Sequence, residues 1–326
     1  MSKKLVTVLL LLIFLAGTVF VAGIAGTASA SYPLNDSYAA FIPLVFQGRE
    51  QIIEFRFAVI GDYGNGSQNE ADVSALVKSW NPDLIITTGD NNYPDGSAGT
   101  IDEHIGQFFH EFIAPYKGSF GKGAQENRFY PSLGNHDWHA QGAKPYLDYF
   151  TLPGNERYYD FTWGAVHFFV IDSDTNEPDG AYSSSVQAAW LQSKLASSNS
   201  PWKIVYFHHA PYSSARHGSN ERMQWPFAQW GADAVITGHD HTYERISMDG
   251  IWYFVNGLGG SGRYNFVNII DGSQVRYNED HGAMLVEVGR ETMHFKFINR
   301  LGTIIDSFEL HQSKKTIASR APQTVP

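Results

Sequence analysis

The fold is decided by residues 55–93, which read FRFAVIGDYGNGSQNEADVSALVKSWNPDLIITTGDNNY. Two apolar or β-branched runs, residues 55–60 and 84–88, are each followed by Gly-Asp. Between them, residues 69–80 carry apolar side chains at helical spacing, and an Asn-Pro pair stops the helix. This pattern predicts a strand–helix–strand unit. Buried runs of this kind indicate sheets that are covered on both faces.

Further along the chain, other apolar runs also end at polar residues. The patterns predict strands at 129–133, 202–207 and 234–237, a hairpin over 158–172, helices over 101–113 and 184–196, and late strands at 252–256, 282–288, 292–299 and 303–309. Residues 129–133 lead into a loop at Asn135. No internal repeat of fixed period is found.

Five short motifs stand at or beside the ends of these strands. They are Gly61-Asp62-Tyr63-Gly64, Gly89-Asp90-Asn91-Asn92-Tyr93, Gly134-Asn135-His136-Asp137, Val205-Tyr206-Phe207-His208 and Gly238-His239-Asp240-His241. Together they supply two carboxylates, one phenol, one amide and three imidazoles, which is enough to hold two metal ions side by side. Two adjacent ions are equipment for hydrolysing a phosphate ester.

Each motif alone has a plain structural explanation. Asp after a strand often caps the next turn, and Asn and Asp tolerate left-handed turns. His239 and His241 would face opposite ways in a strand, so both reach one site only if the backbone turns between them. The ordered set of five motifs therefore carries the hypothesis, and no single motif does.

Composition excludes several classes of protein. There are 23 Lys and Arg residues against 33 Asp and Glu, giving a net charge of −10, and no basic cluster of the kind that nucleic-acid binders carry. The chain has no cysteine, which removes thiolate metal sites and disulfides and leaves oxygen and imidazole donors. An anionic substrate is still compatible, because bound metal ions dominate the local charge.

The N-terminus has the layout of a secretory signal: two lysines, an apolar run from Leu5 to Ile24, and Ala28-Ser29-Ala30. The run also has the length of about 20 residues that spans a bilayer, so an uncleaved anchor stays an alternative. Either way, we expect the rest of the chain outside the cytoplasm. We divide the chain into a signal or anchor at 1–30, a linker at 31–53, a catalytic domain at 54–311, and a disordered polar tail at 312–326.

The five motifs, in this order, resemble the calcineurin-like metallophosphoesterase superfamily and, within it, the purple acid phosphatases, which include tartrate-resistant acid phosphatase. General members of the superfamily open with Asp-x-His, whereas this chain has Asp62-Tyr63-Gly64 and offers Tyr93 instead. The resemblance runs over about residues 55–265. It implies an α/β fold, a four-layer αββα sandwich of two mixed β-sheets flanked by helices.

The resemblance also implies a set of metal ligands. Asp62, Tyr93 and His241 would hold Fe(III), and Asp90 would bridge to a second, divalent ion of iron, zinc or manganese. The ligands implied for that second ion are Asn135, His208 and His239. A phenol with an ordinary pKa of about 10 is a poor ligand for a divalent ion near neutrality, whereas a trivalent ion strips its proton. Tyr93 therefore favours a ferric site.

His136 and His217 are the implied catalytic residues, which would bind phosphate and protonate the departing alcohol. His217 lies nine residues after His208, as in the small mammalian-type enzymes. The expected reaction is acid phosphatase hydrolysis of a small-molecule phosphate monoester through a metal-bound hydroxide. We further expect that Asp137 orients His136, that His209 is structural, and that Arg216 and Arg245 contact an anion.

Three alternatives remain at this point. The nearest is a phosphodiesterase or nucleotide hydrolase on the same fold. The second is a non-catalytic metal-binding or adhesion domain. The presence of all seven donors argues against this alternative, because a domain that had lost catalysis would be free to lose ligands. The third is redox chemistry of an iron pair with peroxide. The sequence does not determine the natural substrate, the divalent ion, the pH optimum or the oligomeric state.

Overall fold

The computed structural model describes residues 53–312, so the predicted signal or anchor, most of the linker and nearly all of the tail lie outside it. The described strands are β1 Phe55–Ile60, β2 Leu84–Thr87, β3 Phe129–Pro131, β4 Tyr159–Trp163, β5 Val166–Val170, β6 Trp202–His209, β7 Ala234–Gly238, β8 Tyr243–Met248, β9 Ile251–Asn256, β10 Ser273–Tyr277, β11 Gly282–Val288, β12 Thr292–Asn299 and β13 Ile304–His311. The α-helices are α1 Gln68–Ser79, α2 Gln107–Phe109, α3 Asn135–His139, α4 Lys144–Tyr149, α5 Val186–Ser197 and α6 Phe227–Trp230. Within this part of the chain, no helix has the length and apolar character that crossing a bilayer requires.

The predicted strand–helix–strand unit is confirmed. β1 and β2 pair in parallel, with Phe57 opposite Leu84 and Ile60 opposite Thr87. Ser67 caps α1, because its side chain accepts a hydrogen bond from the backbone N–H of Glu70. The unit thus brings the Gly-Asp pairs that follow β1 and β2 to the same edge of one sheet.

Two mixed sheets build the sandwich. The first has the order β13-β12-β11-β1-β2-β3, in which β1, β2 and β3 are parallel and β11 runs antiparallel to β1. The second has the order β10-β8-β9-β7-β6-β5-β4, with β5, β6, β7 and β9 parallel and antiparallel strands outside them. The predicted α/β class and mixed sheets are confirmed.

Aromatic side chains fill the space between the sheets. Phe57 of the first sheet meets Phe168 of the second edge to face, at 5.1 Å between ring centroids. Phe254 and Phe295 stack at 4.6 Å. The opposite face of the second sheet, which includes Val205, packs against α5 and α6 in a separate apolar cluster. With α1 packed against the first sheet, the layers follow the predicted αββα order.

Local differences from the prediction concern one irregular helical segment and several short elements. The predicted helix over 101–113 is a π-helical turn at Asp102–Gly106, then α2, then a 3₁₀ turn at His110–Phe112. The predicted loop at Asn135 was wrong, because Asn135 begins the short helix α3. The strands β8 and β10 and the helices α4 and α6 were not predicted; α4 and α6 span only 6 and 4 residues, too few for a periodic signal.

Candidate metal centre

The seven predicted donors meet where the carboxyl ends of the parallel strands of both sheets face each other. Asp62 and Asp90 follow β1 and β2, and Asn135 lies beyond β3. His208 lies at the end of β6, and His239 directly follows β7. Tyr93 and His241 lie on the loops that leave Asp90 and His239. The topology therefore explains why residues from five distant motifs share one place.

Three of the donors lie in left-handed backbone, with φ of 54° at Asp62, 52° at Asp90 and 70° at His239. Such angles are uncommon for residues other than glycine and recur at functional sites. The backbone N–H of His239 donates to Asp62 Oδ2 at 3.0 Å, which ties the two turns together. The backbone therefore turns at His239, which is the condition under which His239 and His241 can both face one site.

Glycines next to the donors leave room for the carboxylates. A Cβ on Gly134 would lie 2.2 Å from Asp90 Oδ1, and one on Gly238 would lie 2.5 Å from Asp62 Oδ2. Both contacts are far shorter than real side chains show, so any larger residue would displace a carboxylate. The glycines that mark these motifs in the sequence therefore serve close packing around the site.

One half of the cluster, the tyrosine half, is formed by Asp62, Tyr93 and His241. Tyr93 Oη lies 3.1 Å from His241 Nε2 and 3.4 Å from Asp62 Oδ1. His241 Nε2 lies 3.4 Å from the same Asp62 oxygen. Two oxygen atoms and one nitrogen atom that could bind a metal ion thus lie within 3.4 Å of one another.

The other half, the histidine half, is formed by Asn135, His208 and His239. His208 Nε2 lies 3.1 Å from Asn135 Oδ1 and 3.1 Å from His239 Nδ1. Asp90 joins the halves, because its Oδ2 accepts from Tyr93 Oη at 3.0 Å and lies 3.4 Å from His208 Nε2. The structure therefore brings all seven predicted donors together, with Asp90 between two sets of three.

The donor set fits metal ions. Asp62 and Asp90 are almost fully buried, and within residues 53–312 neither carboxylate pairs with a lysine or arginine. Buried negative charge without a cation is costly, and a bound cation would relieve that cost. Side-chain atoms of Asp62, Asp90 and His208 that could coordinate one ion lie within 4.8 Å of one another.

The surroundings of Tyr93 favour the protonated form of its phenol. Burial, followed by the charges of Asp90 and Asp62, raises the pKa of Tyr93 well above its ordinary value. In these surroundings the phenol keeps its proton unless a strongly polarising cation replaces it.

Backbone carbonyls orient two of the imidazoles. His208 Nδ1 lies 2.8 Å from the carbonyl oxygen of Thr88, and His241 Nδ1 contacts that of Gly262. A carbonyl oxygen only accepts, so each Nδ1 carries the proton and each Nε2 is left with a free lone pair facing the cluster. Both rings are therefore held in the tautomer that binds a metal ion.

The sequence-based role of Asp137 was wrong. Its carboxylate accepts hydrogen bonds from the backbone N–H of Gly134, at 2.9 Å, and from the backbone and side chain of Asn91, and not from the His136 ring. Burial and the charge of Asp90 raise the pKa of Asp137 to about 7. Asp137 instead fixes the loops that carry Asp90 and Asn135, and Asn91, which the sequence did not single out, is its main partner.

The two predicted catalytic histidines flank the cluster from different sides. His136 packs against the Tyr93 ring at 4.5 Å between centroids, and its Nε2 lies 3.9 Å from Asp90 Oδ2. His217 stacks on His239 at 4.2 Å, and burial lowers the pKa of its ring. Each is partly or largely exposed at the mouth of the site.

Three other histidine and arginine expectations have different outcomes. His209 is held by Ser173, whose Oγ lies 2.9 Å from its Nδ1, in agreement with a structural role. Arg245 is no anion contact of the site, because its Nε donates to Asp306 at 2.7 Å. Arg216 lies at the mouth, with its guanidinium carbon 5.0 Å from the ring centroid of Tyr264.

Tyr264 also lies at the mouth of the site, and it was not predicted from the sequence. Its ring stacks on His241 at 4.1 Å, with an interplanar angle of 8°, and meets His217 edge to face at 5.2 Å. The available signal was the glycine-rich run 257–262, Gly-Leu-Gly-Gly-Ser-Gly, directly after a predicted strand. Such a run indicates backbone that approaches something closely.

Comparison with known proteins agrees with this geometry. The family model for calcineurin-like phosphoesterases matches residues 55–243. The curated relatives include purple acid phosphatase 3 of Arabidopsis thaliana, 25% identical over 308 residues, covering 80% of this chain and 77% of the relative. Mouse tartrate-resistant acid phosphatase type 5 is 22% identical over 257 residues, covering 67% of this chain and 76% of the relative.

Solved structures share the fold. Purple acid phosphatase PPD1 from yellow lupin seeds superposes with a TM-score of 0.63 at 19% identity, covering 79% of this chain and 53% of that one. GAP50, described as the anchor in the inner membrane complex of Plasmodium, gives a TM-score of 0.61 at 19% identity, covering 80% and 90%. Because both identities are low, these two similarities show a shared fold and nothing about function.

Proposed function

The chain belongs to the calcineurin-like phosphoesterase family and is a hydrolase of phosphoester bonds, and from this premise we propose that it is a binuclear acid phosphatase acting on phosphate monoesters. The observation that carries the proposal is the division of the seven donors into two sets joined by Asp90. One shared carboxylate between two sets of three donors is an arrangement suited to a pair of ions.

The two halves would hold different ions. Asp62, Tyr93 and His241 would hold Fe(III), because their donor set includes a carboxylate and a phenol, and hard anionic oxygen suits an ion of high charge. Asn135, His208 and His239 would hold a divalent ion of iron, zinc or manganese. When bound, such a pair supplies Lewis acidity toward a phosphoryl oxygen and activates water as the nucleophile.

The residues of the chain prepare the site for this chemistry. Asp90 is oriented by the backbone N–H of His136, which donates to its Oδ1 at 2.9 Å and leaves Oδ2 toward both donor sets. The backbone N–H of His239 holds Asp62 in the same way. Because the carboxylates are already oriented, little reorganisation is needed when the substrate reacts.

His136 and His217 would bind the phosphate and supply the proton to the leaving alcohol. His136 Nδ1 contacts the carbonyl oxygen of Pro94, so this nitrogen carries a proton and Nε2 is the atom turned toward the cluster. His217 is placed by its backbone N–H, which donates to Asp240 Oδ1 at 2.8 Å. The two imidazoles flank the cluster, so one can contact the phosphate while the other reaches the departing oxygen.

Metal analysis with a visible spectrum tests the proposal directly. Purified, active protein is expected to contain iron and a second ion, and to absorb visible light through charge transfer from the Tyr93 phenolate. Active protein without iron would refute the ferric assignment. Hydrolysis of 4-nitrophenyl phosphate in preference to bis(4-nitrophenyl) phosphate would separate a monoesterase from the phosphodiesterase alternative, since the two share one chromogenic leaving group.

We also propose that residues 54–311 form the catalytic domain and that it acts outside the cytoplasm. The support for this location is the signal-like N-terminal sequence. If that segment is not cleaved, it would anchor the enzyme in a membrane. N-terminal sequencing of the secreted or membrane-bound protein decides between a start near Ser31 and an intact N-terminus.

A further inference from the structure

The glycine-rich run that follows β9 lies against the tyrosine half of the cluster. The backbone N–H of Ser261 donates to the backbone carbonyl of Asp62 at 3.0 Å. The carbonyl of Gly262 accepts from His241 Nδ1. Burial raises the pKa of Tyr93, and a hydrogen bond from the Ser261 side chain acts in the opposite direction. The run therefore contacts each of the three residues that form this half.

The glycine-rich run makes no such contact with the histidine half. Within residues 53–312, none of its hydrogen bonds goes to Asn135, His208 or His239. Its glycines pack directly on other backbone, since a Cβ on Gly259 would lie 2.4 Å from the carbonyl oxygen of Gly61. Because glycines have no side chains that could anchor them, the position of the run depends on hydrogen bonds from its neighbours.

A buried histidine outside the cluster holds this run. The His281 side chain is 5% exposed, and its Nε2 donates to the carbonyl oxygen of Ser261 at 2.8 Å. A carbonyl oxygen only accepts, so Nε2 carries the proton and Nδ1 is left with a lone pair. That second nitrogen is buried and makes no hydrogen bond within residues 53–312. An unpaired buried atom is costly, so a histidine here needs a compensating role, and the bond to the run supplies one.

The backbone around His281 is fixed independently of its ring. The carbonyl of His281 accepts from the backbone N–H of Arg300 at 2.8 Å, and the next N–H, of Gly282, donates to Leu258 at 3.0 Å. Arg300 Nε also pairs with Asp280 at 2.8 Å. Burial lowers the pKa of His281, which favours the uncharged ring. The ring is thus a firmly placed, neutral donor at the start of β11.

We propose that His281 is a positioning residue for the tyrosine half of the site. By holding the Ser261 carbonyl, it fixes the backbone that contacts Asp62, Tyr93 and His241. Within residues 53–312, no hydrogen bond or ion pair joins the His281 side chain to any of the seven donors. The inference rests on the proposed function, because its consequence is a change at the ion in that half. Partners at this distance orient the ligands of metal sites and tune their affinity.

The test replaces His281 in protein loaded with iron and zinc, so that each ion is measured separately. His281→Leu should lower the affinity for iron about ten- to a hundredfold in competition with a chelator, the loss usual for an outer partner of a metal site. The visible absorption should weaken or shift, while zinc should stay bound. For 4-nitrophenyl phosphate, kcat should fall and KM should stay within about twofold.

His281→Gln and His281→Asn keep the test decisive if the leucine variant does not fold. The amide nitrogen of Gln can take the place of ring Nε2, whereas that of Asn reaches only the place of Nδ1. The Gln variant should therefore keep its iron and the wild-type spectrum, and the Asn variant should lose both.

His167→Leu is the matched control, because His167 is also a partly buried histidine with side-chain hydrogen bonds. Its ring nitrogens lie 2.8 Å from Ser198 Oγ and 2.9 Å from Asp160 Oδ2. Loss of these bonds should lower the stability of the protein and leave the spectrum and the iron affinity unchanged. The control therefore separates a general loss of stability from an effect on the tyrosine half.

Unchanged iron affinity and an unchanged spectrum in folded His281→Leu would overturn the proposal. Equal behaviour of the Gln and Asn variants would also overturn it, as would equal losses of iron and zinc, because a general loosening affects both halves. Wild-type protein that binds no iron would instead contradict the ferric assignment. Cobalt retention in the Gln and Asn variants would then decide the role of His281 separately.

Discussion

The two halves of the donor cluster differ in charge although they share Asp90. The tyrosine half adds a second carboxylate, from Asp62, and a phenol to one imidazole, whereas the histidine half offers an amide and two imidazoles, none of which is an anion. Anionic oxygen stabilises a highly charged ion, and neutral nitrogen suits a divalent one. The difference teaches that one buried site presents two donor sets of unlike charge, and this contrast is the basis on which we propose two unlike ions.

Loss of the shared carboxylate should have the largest effect on this arrangement. Asp90→Ala removes the oxygen that lies 3.0 Å from Tyr93 Oη and 3.4 Å from His208 Nε2. We expect turnover to fall by about a thousandfold or more, because removing one member of a cooperating catalytic set costs on that order. Kinetics with metal analysis check this, and Asp148→Ala, on an exposed part of α4, is the control. Substantial remaining activity would contradict the shared role.

Removal of one ion should show that the halves are unequal. Mild chelation is expected to take the ion from the neutral histidine half first, since that half holds less negative charge. Activity should disappear while the visible colour of the tyrosine half persists, and zinc or manganese should restore turnover. Simultaneous loss of colour and activity at every chelator concentration would mean that the two halves do not discriminate.

Tyr93→Phe tests the tyrosine half directly. The ring can keep its packing on His136, at 4.5 Å, while the phenol oxygen and its contacts are lost. The visible absorption should vanish and turnover should fall by about a hundredfold, by analogy with changes around a metal site. Tyr130→Phe, on β3, is the matched control, because within residues 53–312 its hydroxyl makes one hydrogen bond, to the backbone carbonyl of Asn127. An unchanged spectrum in Tyr93→Phe would refute the phenolate assignment.

His217→Ala should separate catalysis from metal binding. The ring stacks on His239 but is not among the seven donors, so both metals should remain bound. Turnover should fall by about ten- to a hundredfold. This loss is at or below the smallest contribution usual for a proton donor, because His136 still flanks the site and can partly replace His217. His311→Ala, an exposed histidine on β13, is the control. Unchanged kinetics would remove His217 from the mechanism.

The smallest effect on turnover should come from a charged pair outside the cluster. Arg245→Met breaks the contacts of Arg245 with Asp306, which lie at 2.7 and 3.2 Å. We expect a loss of about 1–3 kcal/mol in the free energy of unfolding, because a largely buried carboxylate loses a charged partner. Denaturant unfolding measures this loss, and kcat/KM should stay within about twofold. A large kinetic defect would show that Arg245 matters to the site after all.

Much of the fold could be predicted because its signals are local. The runs that became β1, β2, β6 and β7 are apolar and end at glycine or polar residues, and the helix α1 has both periodicity and a stop. The short helix at Asn135–His139 escaped, because five residues carry no period and Gly-Asn is also typical of a turn. The bent helical segment from Asp102 to Phe112 depends on packing that a periodic pattern does not record.

The sequence by itself placed five polar motifs at strand ends or glycine turns, because those signals lie within a few neighbouring residues, and the resemblance of the motifs to the purple acid phosphatases indicated which seven side chains gather. Only the tertiary structure decided what those side chains and their neighbours touch. Asp137 bonds to Asn91 and not to His136, Arg245 bonds to Asp306, and Arg216 lies against Tyr264. These pairs are between 46 and 61 residues apart, and contacts at such separations are selected by the packing of two sheets and their loops, which no local pattern encodes.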